Sequence, residues 1–197
     1  ENLSGKDKID RLSSQGFPPF LVEMKITDDY GKKLPRDGKT FGRLKVRGAA
    51  IAKAYYRITD DILDDEGFFD TGDVATLDEH AYMRITDRSK DVIKSGGEWI
   101  SSIDLENLAV GHPDVLEAAV IGIRHPKWDE RPLLIVQLKP DSKTKGADIL
   151  HFMEGKIAKW WMPDDVVVVD AIPHTATGKI KKTDLREQFQ HYRFPGT

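Results

Sequence analysis

Asp87-Arg88-Ser89-Lys90-Asp91-Val92-Ile93-Lys94-Ser95-Gly96-Gly97-Glu98-Trp99-Ile100 is the stretch at which this chain changes character. Within it, Asp91-Val92-Ile93 and Glu98-Trp99-Ile100 flank Ser95-Gly96-Gly97, and two successive glycines accept the positive φ of a tight connection. Downstream, Ser101-Ser102 caps a helix that carries Ile103, Leu105, Leu108 and Ala109 on roughly one face. Strands are then expected at residues 115–121, in the uncharged run Pro132-Leu133-Leu134-Ile135-Val136 and at residues 166–169, with helices over 147–159 and 183–190, the last capped by Thr183. Strands alternating with helices predict a compact α/β domain. Upstream, Val22, Met24 and Ile26 recur at strand period, Asp28-Asp29-Tyr30-Gly31 supplies a turn, and residues 42–48, 73–76 and 82–85 add further short strands. Residues 21–86 thus read as a small, mostly β unit, whose one helical candidate, two turns at most, lies around residues 51–58. Residues 1–20, with Gly5, Gly16, Pro18 and Pro19, read as loop. The boundary falls near residues 87–90, giving domains over 1–88 and 89–197.

Composition narrows the class of function. With 39% hydrophobic and 9% aromatic residues in 197, the chain has enough apolar surface to fold. Lysine plus arginine number 30 against 33 acidic residues, so no basic field draws nucleic acid or an anionic membrane, and small-molecule partners are expected. The absence of cysteine removes disulfides and thiol chemistry and suits a reducing, cytoplasmic setting. No apolar run approaches the roughly 20 residues of a transmembrane helix. Homo-oligomer formation is left open. The polar opening Glu1-Asn2-Leu3-Ser4-Gly5-Lys6 lacks both a methionine and a signal-peptide core, which leads us to expect a piece of a longer protein.

Three clusters gather residues that a simple core would not place together. Gly67-Phe68-Phe69-Asp70-Thr71-Gly72-Asp73 reads either as an ordinary β-turn or as a stiff carboxylate that accepts hydrogen bonds from vicinal hydroxyls. The stretch 87–100 reads either as a solvated charged linker or as a backbone that comes close to a ligand between Arg88, Lys90 and Lys94. Pro173-His174-Thr175-Ala176-Thr177-Gly178-Lys179-Ile180 reads either as a phosphate-binding loop or as a surface turn. A nucleotide P-loop is excluded, because Pro173 stands five residues before Gly178-Lys179 and Lys33 stands five before Gly38-Lys39. His80, His112, His125, His151, His174 and His191 lack metal-ligand spacing, so no metal site is expected in this chain.

In this order the three clusters resemble the C-terminal signature motifs of the adenylate-forming superfamily of acyl-CoA synthetases, luciferases and peptide-synthetase adenylation domains. Residues 21–86 resemble the last, β-barrel-like subdomain of the large domain of that family, and residues from about 89 onward resemble its mobile C-terminal domain. The implied fold class is α+β / α/β, a β-barrel-like subdomain followed by a compact α/β domain. The run Gly96-Gly97-Glu98-Trp99-Ile100-Ser101-Ser102-Ile103-Asp104-Leu105-Glu106-Asn107 is further similar to medium-chain fatty-acyl-CoA ligases and methylmercaptopropionate-CoA ligases.

The resemblance implies an enzyme that uses ATP, coenzyme A and a carboxylic acid, of the medium- or long-chain fatty-acid kind. Asp73 resembles the acceptor of ribose hydroxyls, Arg88 a nucleotide-contacting arginine and Lys90 the hinge of the C-terminal domain. Gly97 resembles the glycine that lets the pantetheine arm pass close to the backbone, and Gly96 and Trp99 beside it are expected to bind cofactor as well. Lys179 resembles the adenylation lysine, and Lys94 a lysine of the second half-reaction. The family's phosphate loop, its magnesium site and its acyl pocket have no counterpart in these residues, so magnesium is expected to bind elsewhere in a longer chain. Two other readings share the motifs: an adenylation module that loads a carrier protein, and a non-catalytic interaction module that kept the fold.

Overall fold

Alternation at residues 22–27 puts Met24 and Ile26 on one face of a strand and Lys25 and Thr27 on the other. The computed structural model, which describes residues 4–57 and 61–196, builds a sheet around this strand. The chain divides into two compact units, Glu1–Lys90 and Asp91–Thr197.

In the first unit, β1 (Val22–Thr27), β2 (Gly42–Gly48), β3 (Phe69–Leu77) and β4 (Met83–Arg88) form an antiparallel meander in that spatial order. Met24, Ile26, Leu44, Ala75 and Leu77 are its buried core, with Leu34, Val46 and Met83 packed against them. The opposite face is charged. Lys25 and Lys45 are cross-strand neighbours, and Asp64 Oδ2 lies 3.1 Å from both ammonium groups. Among the described residues the sheet is open, since β1 and β4 do not pair, so this β unit is not a closed barrel. Four strands are too few to close around a filled interior.

Residues 5–12 correct the expected loop. They form α1 (Gly5–Leu12), entered by the Lys8 amide donating to the Ser4 carbonyl at 2.9 Å. Gly5 occupies the first turn, where amides need no intrahelical acceptor, and Gly16, Pro18 and Pro19 all lie beyond the last turn. Conversely, residues 51–57 form bends and turns instead of a helix, and Ile58 lies outside the described residues.

The second unit is a sheet covered on both faces. A hairpin of β5 (Ile93–Ser95) and β6 (Glu98–Ile100) leads into α2 (Ser102–Val110), with Ser101 as N-cap, its hydroxyl accepting from the Asp104 amide at 3.1 Å. The long strands β7 (Val115–His125) and β8 (Asp129–Leu138) pair antiparallel, and β9 (Asp165–Val169) runs parallel to β8. Ala118, Val120, Leu134 and Val136 pack with α2 and α3 (Gly146–Met153). Ala119, Ile121, Leu133 and Ile135 pack with Ile172, Phe194 and Leu185 of α4 (Lys182–Gln188). Two covered faces explain why residues 132–136 are apolar without alternation.

Helix α3 stops at Met153, short of the expected end at 159. Gly155 takes φ +72° just beyond it, and residues 159–161 form a separate 3-10 turn. Thr183 is not a cap. Helix α4 begins one residue earlier, its N-cap Lys181 makes no side-chain capping bond, and the Thr183 hydroxyl lies 3.4 Å from Asp184 Oδ1.

Candidate functional site

Asp73 sits on β3 directly opposite Arg88 on β4, and Arg88 Nε lies 3.1 Å from Asp73 Oδ1. The segment that delivers Asp73 is the Asp70-Thr71-Gly72 run, which the structure makes part of a strand and not a free turn. The Gly72 amide donates to Asp70 Oδ1 at 2.9 Å, the Thr71 hydroxyl donates to the Leu44 carbonyl at 3.0 Å, and the Asp73 amide donates to Thr71 Oγ1 at 3.2 Å. Gly72 needs its φ of +75°, a conformation that costs other residues about 1 kcal/mol or more. These bonds hold the backbone that carries Asp73, its carboxylate meets Arg88, and the Arg88 side chain stays 61% exposed. That combination can accept two adjacent hydroxyls and offer a cation to a neighbouring anion. Lys90 ends this unit in an exposed turn.

Lys94 and Trp99 face each other across the β5–β6 hairpin, with Lys94 Nζ 5.6 Å from the indole centroid. Gly96 and Gly97 form its tip at φ +59° and +88°. The Gly96 amide donates to the Trp128 carbonyl at 2.9 Å, and a Cβ on Gly96 would come within 2.9 Å of the Trp128 ring, whereas Gly97 has open space beside it. An open cleft of about 520 Å³ adjoins the tip, lined by Ser95, Gly96, Trp128, Arg131 and Trp160 among others.

Arg131 shapes that cleft. Its Nε and Nη2 donate to Asp164 Oδ1 at 2.9 and 2.6 Å, Nη1 to Ser95 Oγ and the Trp160 carbonyl at 3.1 and 2.8 Å, and Nη2 to the Met162 carbonyl at 2.9 Å. One guanidinium therefore joins the hairpin to the segment entering β9, which leaves the Trp128 and Trp160 rings 42% and 60% exposed beside it.

Lys179 lies on a third feature, the loop between β9 and α4. His174 bridges Ile180, the Thr175 amide donates to the Lys179 carbonyl at 2.7 Å, and the Lys181 amide donates to the Pro173 carbonyl at 2.8 Å. Gly178 turns the tip at φ +79°. The result is a small closed hairpin that holds the Lys179 backbone while its side chain projects from an exposed position. The structure therefore joins Asp73 with Arg88, and Lys94 with Trp99 and the two glycines, and gives Lys179 a separate loop.

Residues 104–179 match the family model of the AMP-binding enzyme C-terminal domain. The second unit carries an AMP-binding enzyme C-terminal domain. Across 177 residues, 90% of its length, the whole chain is 56% identical to a 3-methylmercaptopropionyl-CoA ligase of Ruegeria lacuscaerulensis, and across 188 residues, 95% of its length, 45% identical to a medium-chain-fatty-acid–CoA ligase of Ectopseudomonas oleovorans. It covers 33% and 34% of those proteins, so it spans about a third of their length. Among solved structures, ATP-bound MatB from Rhodopseudomonas palustris superposes at TM-score 0.80 with 32% identity, over 92% of this chain and 37% of that one. The o-succinylbenzoate CoA synthetase of Bacillus subtilis, bound to its acyl-adenylate, gives 0.77 with 29% identity, over 98% and 38%.

Within the AMP-binding domain, sequence reasoning missed Arg131, Trp128 and Trp160. The signal was present in Lys127-Trp128-Asp129-Glu130-Arg131 and Lys159-Trp160-Trp161, tryptophans set among charges where burial is unexpected. What could not be read was that two segments some thirty residues apart meet. Among the described residues no group of three or more acidic or histidine side chains could hold a metal ion, and no helix is long and apolar enough to cross a membrane.

Proposed function

We propose that this chain is the C-terminal part of an AMP-forming CoA ligase that joins a carboxylic acid, of the medium- or long-chain fatty-acid kind, to coenzyme A at the expense of ATP. The observation that carries the reading is the Asp73–Arg88 rung, a carboxylate on a braced strand paired with an exposed guanidinium, in a chain 45% identical to a medium-chain ligase. In the first half-reaction the acid's carboxylate attacks the α-phosphorus of ATP, the bond to the β-phosphate bridging oxygen breaks, and pyrophosphate leaves. Asp73 accepts the ribose hydroxyls and Arg88 faces the nucleotide's anionic side. Negative charge gathers where carboxylate meets phosphate, and the Lys179 ammonium offsets it, a role that for comparable transition-state donors contributes about 3 kcal/mol.

In the second half-reaction the CoA sulfur attacks the acyl carbonyl, AMP leaves, and the thiol proton passes to solvent or a nearby base. Gly97 leaves room for the pantetheine arm, Lys94 stands on the same hairpin, and the Trp128 and Trp160 faces in the adjoining cleft suit the stacking of a planar base. Lys90 joins the two units and is the natural pivot for exchanging one loop for the other. Magnesium, which the use of ATP implies, finds no ligand set among the described residues, and no step here depends on it. ATP and coenzyme A as substrates suit a cytoplasmic setting.

The test is made in the full-length enzyme. Lys179→Ala should reduce acid-dependent pyrophosphate exchange into ATP by about a hundredfold or more, while thioester formation from a supplied acyl-adenylate stays within about threefold. Equal loss of both half-reactions removes Lys179 from its role, and a wild-type enzyme that forms no AMP from ATP, acid and CoA overturns the ligase reading.

A further inference from the structure

Asp91 begins the second unit, one residue after Lys90, and α4 begins three residues after Lys179. Two ion pairs fasten α4 to the opening of that unit. Arg186 Nη2 lies 2.6 Å from Asp91 Oδ1, a contact between residues 95 apart in sequence. Lys182 Nζ lies 2.6 Å from both Glu106 Oε1 and Ser102 Oγ on α2. Lys182 and Arg186, four residues apart, share one face of α4, and the fully buried Leu185 anchors the helix on the sheet. Three of the four partners are well enclosed, with side-chain exposures of 14% for Asp91, 12% for Lys182 and 15% for Glu106, while Arg186 is 30% exposed.

The loop that bears Lys179 is in turn closed onto the start of α4. The Lys181 amide bonds Pro173 and the Thr175 amide bonds Lys179, so loop and helix are joined as one piece. The tip of the β5–β6 hairpin is anchored differently, by Ser95 pairing with Asp129 and the Gly96 amide bonding Trp128, neither of which involves α4.

We infer that Arg186 and Lys182 are positioning residues, which make α4 a strut from Asp91 to the Lys179 loop. The inference rests on the reading in which Lys90 is the pivot and Lys179 the adenylation lysine. A backbone rotation at Lys90 is delivered first to Asp91, and the covalent path from there to Lys179 runs through the whole unit. The Asp91–Arg186 pair shortens that path to one helix. An ammonium aimed at a developing charge tolerates little error, since about 1 Å of misplacement costs roughly a hundredfold in rate. Thioester formation uses the tip of the hairpin, which its bonds to Asp129 and Trp128 hold in place when the strut is lost.

The decisive comparison uses the full-length enzyme with Arg186→Met, Arg186→Lys and Asp91→Asn, the last keeping side-chain shape should loss of Arg186 prevent folding. Arg186→Met should slow adenylate formation about ten- to hundredfold in kcat, with little change in KM, and leave thioester formation from supplied acyl-adenylate within about threefold. Arg186→Lys should recover part of the loss. Amide exchange at Thr175 and Lys181 should quicken in the Met variant, while β7 and β8 keep their protection. Unchanged exchange in the 173–181 loop, or equal slowing of both half-reactions alongside a matching fall in thermal midpoint, overturns the strut. If the wild-type enzyme forms no acyl-adenylate the ligase reading fails, and the exchange measurement still decides whether Arg186 orders the loop.

Discussion

The tip of the β5–β6 hairpin shows how two neighbouring glycines answer to different constraints. Gly96 is confined by backbone and neighbour together: at φ +59° an added Cβ would also press to 2.9 Å from Trp128 Cε3. Gly97 is confined by backbone alone, at φ +88° with nothing within 4 Å. Gly96→Ala should therefore cost about 2 kcal/mol or more of stability, by strain plus displacement of Trp128, and Gly97→Ala about 1 kcal/mol. Chemical denaturation of the two variants measures the difference, and equal costs would show that the indole yields freely. Function should sort in the opposite sense, since the open space at Gly97 is the side we assign to the pantetheine arm.

At the scale of elements, both units carry an ionisable contact with a defined pH window. Asp64 stands against the charged face of the first sheet. Burial raises its pKa, but the Phe68 amide and the Lys25 and Lys45 ammonium groups outweigh that and hold it well below its ordinary value of 3.8. Asp37 is brought down to about 2 by hydrogen bonds from the amide and hydroxyl of Thr40 and the amide of Lys39. A depressed carboxylate stabilises the fold above its unfolded pKa and loses that contribution as pH falls through the folded value. The first unit should thus keep its stability above about pH 4 and lose it progressively below, and Asp64→Asn should flatten that decline.

Tyr192 works at the other end of the scale. Burial, and then its hydrogen bond to the Asp165 carboxylate at the start of β9, push the phenol from 10.0 up to about 12. A raised pKa contributes stability that is complete below the unfolded value and lost as pH rises through the folded one. Thermal midpoints of the second unit should therefore fall between about pH 10 and 12, and Tyr192→Phe should remove that decline. An unaltered alkaline profile in the variant would show that the phenol is not the titrating group.

For the whole molecule the central residue is Lys90, where the two units meet in sequence. Proline there fixes φ near −65° and removes a backbone donor. With Lys90 as the proposed pivot between two conformations, proline holds it near one, so Lys90→Pro should leave adenylation within about threefold while slowing transfer to CoA by about tenfold or more. Single-turnover measurement of each half-reaction, with the thermal midpoint as control, decides the matter. Equal slowing at unchanged stability would exclude Lys90 as the pivot.

Much of this architecture was legible in the chain itself, because it depends on local rules. Alternation marked β1, the uncharged run 132–136 marked β8, Ser101 marked the start of α2, and the Gly-rich motifs marked the hairpin and the Lys179 turn. Local rules failed where a local cue had no single outcome: Gly5 tolerated in the first turn of α1, Thr183 bypassed as a cap, and β3 extending back through a run that reads as a turn. Only the tertiary structure decided the contacts between distant residues. Asp73 meets Arg88 through strand register, Arg131 gathers Ser95, Trp160 and Asp164, and Arg186 reaches Asp91 across 95 residues. Spacing in sequence carries no information about such pairs, because the first follows from the register of the first sheet and the other two from the burial of both faces of the second.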